Sequence, residues 1–433
     1  MHLKRQFGLW TAVALLIGQV IAVGIFLTPA GMAKSVGSPF WLLVIWIVLG
    51  AMTLSGALCY GELAARFPEA GGSYVYLREI WGRRLAFLYG WMCLLVLDPG
   101  LTATFAVGLT KYFVYLVPLS AAGQAIFAMS VVVVLGLLNI SGARIGANFL
   151  KVLTILKIAT LAFIIFYGFA GGFGDWQNFT PFFAVPADAF GALAGGAVGA
   201  FFAFAGWWEV TRVAGEVENP QKNLPRALSI GIIALTVIYI LTSAVFFYLV
   251  PLGRVTSDET FAAQAGEVLF GKTGGIVFAL IVVVSVLGTL IAYLMVSPRV
   301  YYAMAKDGLF FRAFGELHPR FGTPHRATLI QMILACALIL SGTFEQIISY
   351  FFFVVVFFIA LTVAGIFKIH KNDFAGYKTI LYPWTPVFFL VVTAVVLLLI
   401  AMRNPLQSFL GAAVVLLGLP VYYLILGKKR TTD

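Results

Sequence analysis

Charge is scarce in this chain: Asp, Glu, Lys and Arg make up 10% of 433 residues, against about 25% in an ordinary soluble domain. That excludes a cytosolic globular protein. Polar stretches long enough for a separate domain are also missing, and the mean hydropathy of +1.01 runs through nearly the whole length, which excludes a soluble enzyme on a single anchor. The composition is that of a polytopic, all-α membrane protein. Cysteine is rare, and Cys59, Cys93 and Cys336 all sit inside apolar runs, so neither a disulfide framework nor a metal knuckle is expected. The four histidines, His2, His318, His325 and His370, fall in polar ends and loops, leaving haem, copper or zinc between helices without ligands. No metal and no cofactor is expected. The spans also lack a nucleophile–base pair and a repeated polar pore lining, which argues against a membrane enzyme and against a channel.

Twelve apolar runs of bilayer-crossing length are present, near 9–33, 40–66, 85–117, 122–141, 149–171, 190–214, 227–251, 274–304, 326–342, 345–368, 383–402 and 405–426. The N-terminal Met1-His-Leu-Lys-Arg-Gln leads into a run too long for a signal-peptide core, without a small-residue cleavage site and a soluble domain after it; it reads as a cytoplasmic tail entering span 1. Of the 28 Lys and Arg, only Lys34, Lys111, Arg254, Lys272 and Arg403 fall in segments on one side. With Lys157 set aside as intramembrane, the rest fall on the side of the termini, so both termini are expected in the cytoplasm. The net charge of +11 is then a retention signal and a lipid-headgroup contact, not a nucleic-acid surface. Short loops and the lack of a soluble domain point to a prokaryotic inner membrane.

Two spans depart from a plain apolar helix. Span 1 contains Gly18-Gln-Val-Ile-Ala-Val-Gly24-Ile-Phe-Leu-Thr-Pro29, and span 6 contains Gly195-Gly196, Gly199 and Phe202-Ala-Phe-Ala-Gly206-Trp-Trp-Glu209. Each offers a place to unwind, and irregular backbone at membrane depth survives only where it lines a cavity or is buried in protein. The alternative for Gly195, Gly196 and Gly199 is close helix packing. Spans 1 and 6 would occupy matching positions in two five-helix repeats, expected over 1–171 and 190–368 with 383–426 as two further helices, and paired interruptions of this kind point to a transporter's binding site. Half-helix ends leave N–H and C=O groups unpaired, so one end suits a carboxylate and another an ammonium. An α-amino acid carries both.

Further motifs carry a resemblance. Ala57-Leu-Cys-Tyr60-Gly-Glu62-Leu-Ala-Ala-Arg66-Phe-Pro68-Glu-Ala-Gly71-Gly72-Ser-Tyr74-Val-Tyr76-Leu closes span 2, and Gly215-Glu216-Val-Glu-Asn219-Pro220 with Asn223-Leu-Pro225-Arg226-Ala follows span 6. Together with the span 1 motif, in this order on twelve spans, they resemble the amino acid–polyamine–organocation superfamily, and within it the sodium-independent L-type amino acid transporters and their bacterial relatives. The likeness covers essentially the whole chain. It implies a five-plus-five inverted-repeat fold with broken spans 1 and 6, plus two helices, working by alternating access.

Carried onto this sequence, the resemblance places the substrate carboxylate on the amides of Ala22, Val23 and Gly24 and its amine near the carbonyls of Val20, Ile21, Phe202 and Ala205, with Ala203 and Gly206 completing the span 6 break. Phe202 would be the aromatic gate. The chain departs from the family's usual Gly-Ser-Gly at 22–24, where Val23 adds bulk and removes a hydroxyl, and from its Asn or Asp at position 208, where Trp208 fills space. Lys157, in span 5, matches the lysine that L-type transporters carry where sodium-coupled relatives bind an ion; its ammonium would bond span 1 carbonyls and Ser285, the alternative being a lysine snorkelling to the interface. Asp98, in Leu97-Asp98-Pro99-Gly100, leaves three readings open: contact with a cationic substrate, a coupled proton, or a local bond to backbone or an arginine. Glu62, Arg66 and Tyr74 read as cytoplasmic-gate or structural contacts. Glu209 and Arg212 read as an ion pair one turn apart. Tyr293, Tyr301 and the 350–358 region read as packing or lipid-facing aromatics, with Tyr293 within reach of the pocket wall. The expected activity is sodium-independent transport of neutral L-amino acids, by exchange or proton linkage; the alternative is a polyamine or cationic amino acid carrier. L-type transporters of eukaryotes bond a heavy chain through a cysteine between spans 3 and 4, and Lys111–Ala121 here has none, so no disulfide-linked subunit is expected.

Overall fold

A computed structural model of the chain describes residues 5–21, 24–141, 143–186, 188–254, 261–341 and 344–427. Ala22 and Val23 lie outside the described residues. Among those described, every regular element is helical, and the one strand-like contact is an isolated parallel bridge between Phe7 and Val217. Ten helical segments are long and apolar enough to cross a membrane, from Pro39–Arg66 to Pro405–Leu424, and two shorter apolar helices, Leu9–Val20 and His325–Leu340, accompany them. The fold is a multi-pass helical membrane bundle.

Span 1 holds two helices, α1 (Leu9–Val20), ended by the non-helical Ile21, and α2 (Gly24–Val36). α3 (Pro39–Arg66) forms span 2. The segment after it folds into a short extra helix, α4 (Ser73–Trp81), entered through Gly71 and Gly72 at φ +125° and +54°, values that glycine alone adopts freely. A Cβ at Gly72 would also lie 2.6 Å from the Thr211 hydroxyl, and the Gly71 N–H donates to the Arg212 carbonyl at 3.0 Å. The paired glycines of the span 2 motif thus bring this loop against span 6.

Span 3 runs from α5 (Arg83–Met92) through a π-helical turn, Cys93–Leu97, into α6 (Asp98–Leu116). The turn ends where Pro99 withholds an N–H, and it sets Asp98 at the head of the next helix. α7 (Ala121–Ile140) and α8 (Ala143–Ala170) follow. Span 6 begins as α9 (Ala189–Phe204) and continues, past Ala205 and Gly206 at φ +96°, as a 3-10 segment over Trp207–Glu216. Gly196 and Gly199 sit inside the regular α9, where an added Cβ would meet Ile45 at 2.5 Å and Met32 at 2.9 Å. They serve packing, and the break falls on Ala205 and Gly206.

α10 (Pro220–Leu249) lies along α3, and α2 lies along α9. α11 (Phe261–Val296) bends at Phe270 and Gly271 and passes into α12 (Pro298–Lys306). α13 (His325–Ser341), α14 (Phe344–Ala364), α15 (Ile366–Ile369), α16 (Trp384–Arg403), α17 (Pro405–Leu416) and α18 (Gly418–Gly427) follow. On the polar ends, Glu62 accepts from Arg66 at 2.8 Å, from the Thr379 N–H at 2.8 Å, and pairs with His370 at 2.9 Å, fastening α3 to the segment before α16. Tyr74 bonds Asp307 at 2.8 Å; burial and that carboxylate push its phenol well above the ordinary value, so it stays a donor.

Close packing of span 2 gives a direct test. A Cβ at Gly56 would lie 2.5 Å from Phe389 and 2.9 Å from Trp207, so Gly56→Leu is expected to destabilise the protein by about 1–3 kcal/mol. Thermal unfolding of the detergent-purified variant checks this, with a melting point unchanged from wild type as the contrary result.

Candidate functional site

The two interruptions meet. A Cβ on Gly24, at the head of α2, would sit 2.8 Å from the Cα of Ala203 in α9, so only glycine lets the two backbones approach here. Beside this crossing lies a cavity lined by Gln19, Val20, Gly24, Leu101, Phe105, Phe202, Ala205, Gly206 and Tyr293, with free space of about 10 Å³, room for about one water molecule. An amino acid therefore needs the wall to move outward. Val20, Gly24, Phe202, Ala205 and Gly206 from the sequence reading all line it; Trp208 does not, and packs edge-on against Trp207 with ring centroids 5.7 Å apart.

The end of α1 frees carbonyls that the helix no longer uses, and span 5 and span 8 supply their donors. The Lys157 ammonium, 2% exposed, bonds the carbonyls of Gly18 and Ile21, each at 2.9 Å, and the Thr289 hydroxyl at 2.7 Å. Thr289 in turn lies 3.0 Å and 3.2 Å from the same two carbonyls. Ser285, expected as the hydroxyl partner, has a side-chain oxygen that takes no hydrogen bond; Thr289, one helical turn further along α11, is the residue in contact, because residues four apart share a helix face and α11 presents the later one to the break. The lysine side chain ends inside the bundle and does not snorkel. The Tyr239 hydroxyl of α10 reaches the Val20 carbonyl at 3.1 Å and the Ala203 carbonyl at 2.9 Å, one contact on each broken helix. The Phe202 carbonyl accepts the Ala205 N–H at 3.0 Å.

Asp98 lies in a second, fully buried network. One oxygen accepts from Arg212 at 2.8 Å and from the Tyr293 hydroxyl at 2.7 Å, and the other accepts from the Tyr301 hydroxyl. Arg212 also pairs with Glu209 at 2.7 Å and reaches the Tyr89 hydroxyl at 3.4 Å. Of the three readings left open for Asp98, the structure gives the local bond to arginine. Tyr293 and Tyr301 are corrected: they are buried donors to a carboxylate, not lipid-facing or merely packing rings. The network joins spans 3, 6 and 8 and meets the cavity at Tyr293.

Sequence reasoning missed Gln19, Tyr239 and Thr289. Gln19 carried a usable signal, since an amide inside an apolar span is costly and marks function; a tyrosine and a threonine in such a run carry none. Clusters of three or more His, Cys, Asp and Glu able to hold a metal do not occur among the described residues.

Two outcomes follow. Lys157→Ala and Thr289→Val each leave carbonyls at the break without a donor, and initial uptake rates are expected to fall at least about tenfold and about threefold, while Ser285→Ala stays within about twofold; wild-type rates in Lys157→Ala are the contrary result. Arg212→Met leaves two carboxylates buried without their cation, a loss of about 3–5 kcal/mol, read as a drop in melting temperature and in folded yield.

The geometry agrees with what the chain resembles. Residues 7–423 match the family described as amino acid permease. A serine/threonine exchanger of Bacillus subtilis is 29% identical over 435 residues, covering 99% of this chain and 98% of that protein. Asc-type amino acid transporter 1 of Mus musculus is 29% identical across 98% of this chain and 81% of its own length, and the large neutral amino acids transporter small subunit 2 of Homo sapiens is 29% identical across 98% and 80%. With a match running over nearly its whole length, the chain belongs to the amino acid permease family of membrane transporters.

Proposed function

We propose that this permease exchanges neutral L-amino acids without sodium, by alternating access at the two helix breaks. The observation that carries the reading is Lys157: two backbone carbonyls and a hydroxyl converge on its ammonium, and such a set of oxygens is what a hard cation would otherwise require. A fixed internal charge makes a coupling cation unnecessary there. The relatives named as a serine/threonine exchanger and as a neutral amino acid transporter support the substrate class. A carrier for polyamines or cationic amino acids would need a free carboxylate at the pocket, and both oxygens of Asp98 are engaged by Arg212, Tyr293 and Tyr301.

In this reading the carboxylate of the substrate meets the N–H groups that open α2, those of Gly24 and the preceding Ala22 and Val23, where the positive helix end favours an anion. The ammonium meets carbonyls of span 6 at Phe202 and Ala205 and that of Val20, since the Ile21 carbonyl already takes Lys157 and Thr289. Ala203 and Gly206 shape the span 6 break, and Phe202 closes over the site as its aromatic gate. The chain crosses the plasma membrane twelve times with both termini in the cytoplasm. Two inverted repeats, 1–171 and 190–368, precede two further helices within 383–426. No disulfide-linked heavy chain is part of the assembly.

Purified protein in liposomes tests this. Labelled neutral amino acids are expected to accumulate only when the lumen holds unlabelled amino acid, and replacing sodium by choline is expected to change the rate by less than about twofold. Uptake that requires a sodium gradient, or that ignores internal amino acid, contradicts the exchange reading.

A further inference from the structure

The cavity holds one side chain that the transport reading leaves without a role. Gln19, in the last turn of α1, is 2% exposed and lines the cavity, yet neither its Oε1 nor its Nε2 has a hydrogen-bond partner. Buried polar groups are nearly always paired, and an amide left bare in a closed apolar space is costly to keep. The other side chains of the wall do not pair with it: Leu101, Phe105 and Phe202 end in hydrocarbon, and the Tyr293 hydroxyl donates to Asp98. Among the described residues that line the cavity, Gln19 is the polar side chain without a partner.

Its place in the cavity assigns which part of a substrate it meets. The backbone ends at Gly24 and at Ala205 are where an α-carboxylate and an α-ammonium are expected. With both charged groups met by backbone, the amide of Gln19 in the same wall is left to the substrate's side chain.

We infer that Gln19 is the specificity residue of this permease, selecting amino acids whose short side chain ends in a hydroxyl or a carboxamide. The chemistry follows from the amide itself, which has an acceptor oxygen and a donor nitrogen. A hydroxyl or a carboxamide both donates and accepts, and so engages both atoms. An ammonium or guanidinium only donates, a carboxylate only accepts, and an alkyl chain does neither; each leaves part of Gln19 bare. The rings of Phe105 and Phe202 beside it favour short chains. The inference rests on the transport reading above.

The test compares isosteres that differ in the polar group alone: threonine with valine, serine with 2-aminobutyrate, asparagine with leucine, as competitors of labelled exchange in proteoliposomes. The wild type is expected to favour the polar member of each pair by at least about tenfold, because a site built to bond a polar group rejects the analogue that lacks it. Gln19→Met, close in shape but without the amide, is expected to bring the ratios within about threefold. Equal competition by both members in the wild type, or ratios unchanged in Gln19→Met, overturns the assignment of Gln19 while leaving amino acid exchange standing. A wild type that exchanges no amino acid at all overturns the transport reading itself. Should Gln19→Met not fold, ligand-induced thermal stabilisation of the purified wild type decides: a larger upward shift with threonine than with valine supports the assignment, and equal shifts refute it.

Discussion

A helix interrupted inside a bilayer must replace the hydrogen bonds it gives up, and this constraint organises the protein. Where α1 stops, the carbonyls of Gly18, Val20 and Ile21 turn to Lys157, Thr289 and Tyr239 for donors. A carbonyl left bare in hydrocarbon would cost several kcal/mol. The dependence runs both ways. An ammonium as buried as that of Lys157 is tolerable only because three oxygens surround it, so the break and the lysine each make the other possible. The same crossing brings Gly24 against Ala203 and thereby opens the cavity beside them.

The network around Asp98 plays a different part. Its carboxylate holds span 3, at the end of a π turn, to Arg212 in span 6 and to two tyrosines of span 8. It touches the cavity only through Tyr293. A charge cluster so placed fixes the relative positions of three spans, and it leaves the cavity lined mainly by backbone and hydrocarbon around the amide of Gln19.

Much of this was legible in the sequence. Gly24 and Gly206 in otherwise apolar runs stand at the two breaks, the cost of a mid-span ammonium marked Lys157, and the spacing of Glu209 and Arg212 marked an ion pair. What stayed hidden was hidden for physical reasons. Ser285 and Thr289 share a helix face, and nothing in their spacing says which turn of α11 lies level with the break. Tyr293 and Tyr301 look like any aromatics in an apolar span, because residue type tells of the ring's preference for hydrocarbon and not of the address of its hydroxyl. Asp98 needed a partner, but Arg212 lies 114 residues away, and only the folded chain brings it there. The short helix α4 was obscured by its length: its 9 residues are too few to cross a bilayer, and Arg78 and Glu79 interrupt its apolar run.

The Tyr239 hydroxyl stands within reach of Val20 on one broken helix and Ala203 on the other, but a phenol has a single proton to give. At any instant one of those two carbonyls holds it and the other waits. One donor therefore serves both broken helices, and either carbonyl can keep the bond if the other releases it.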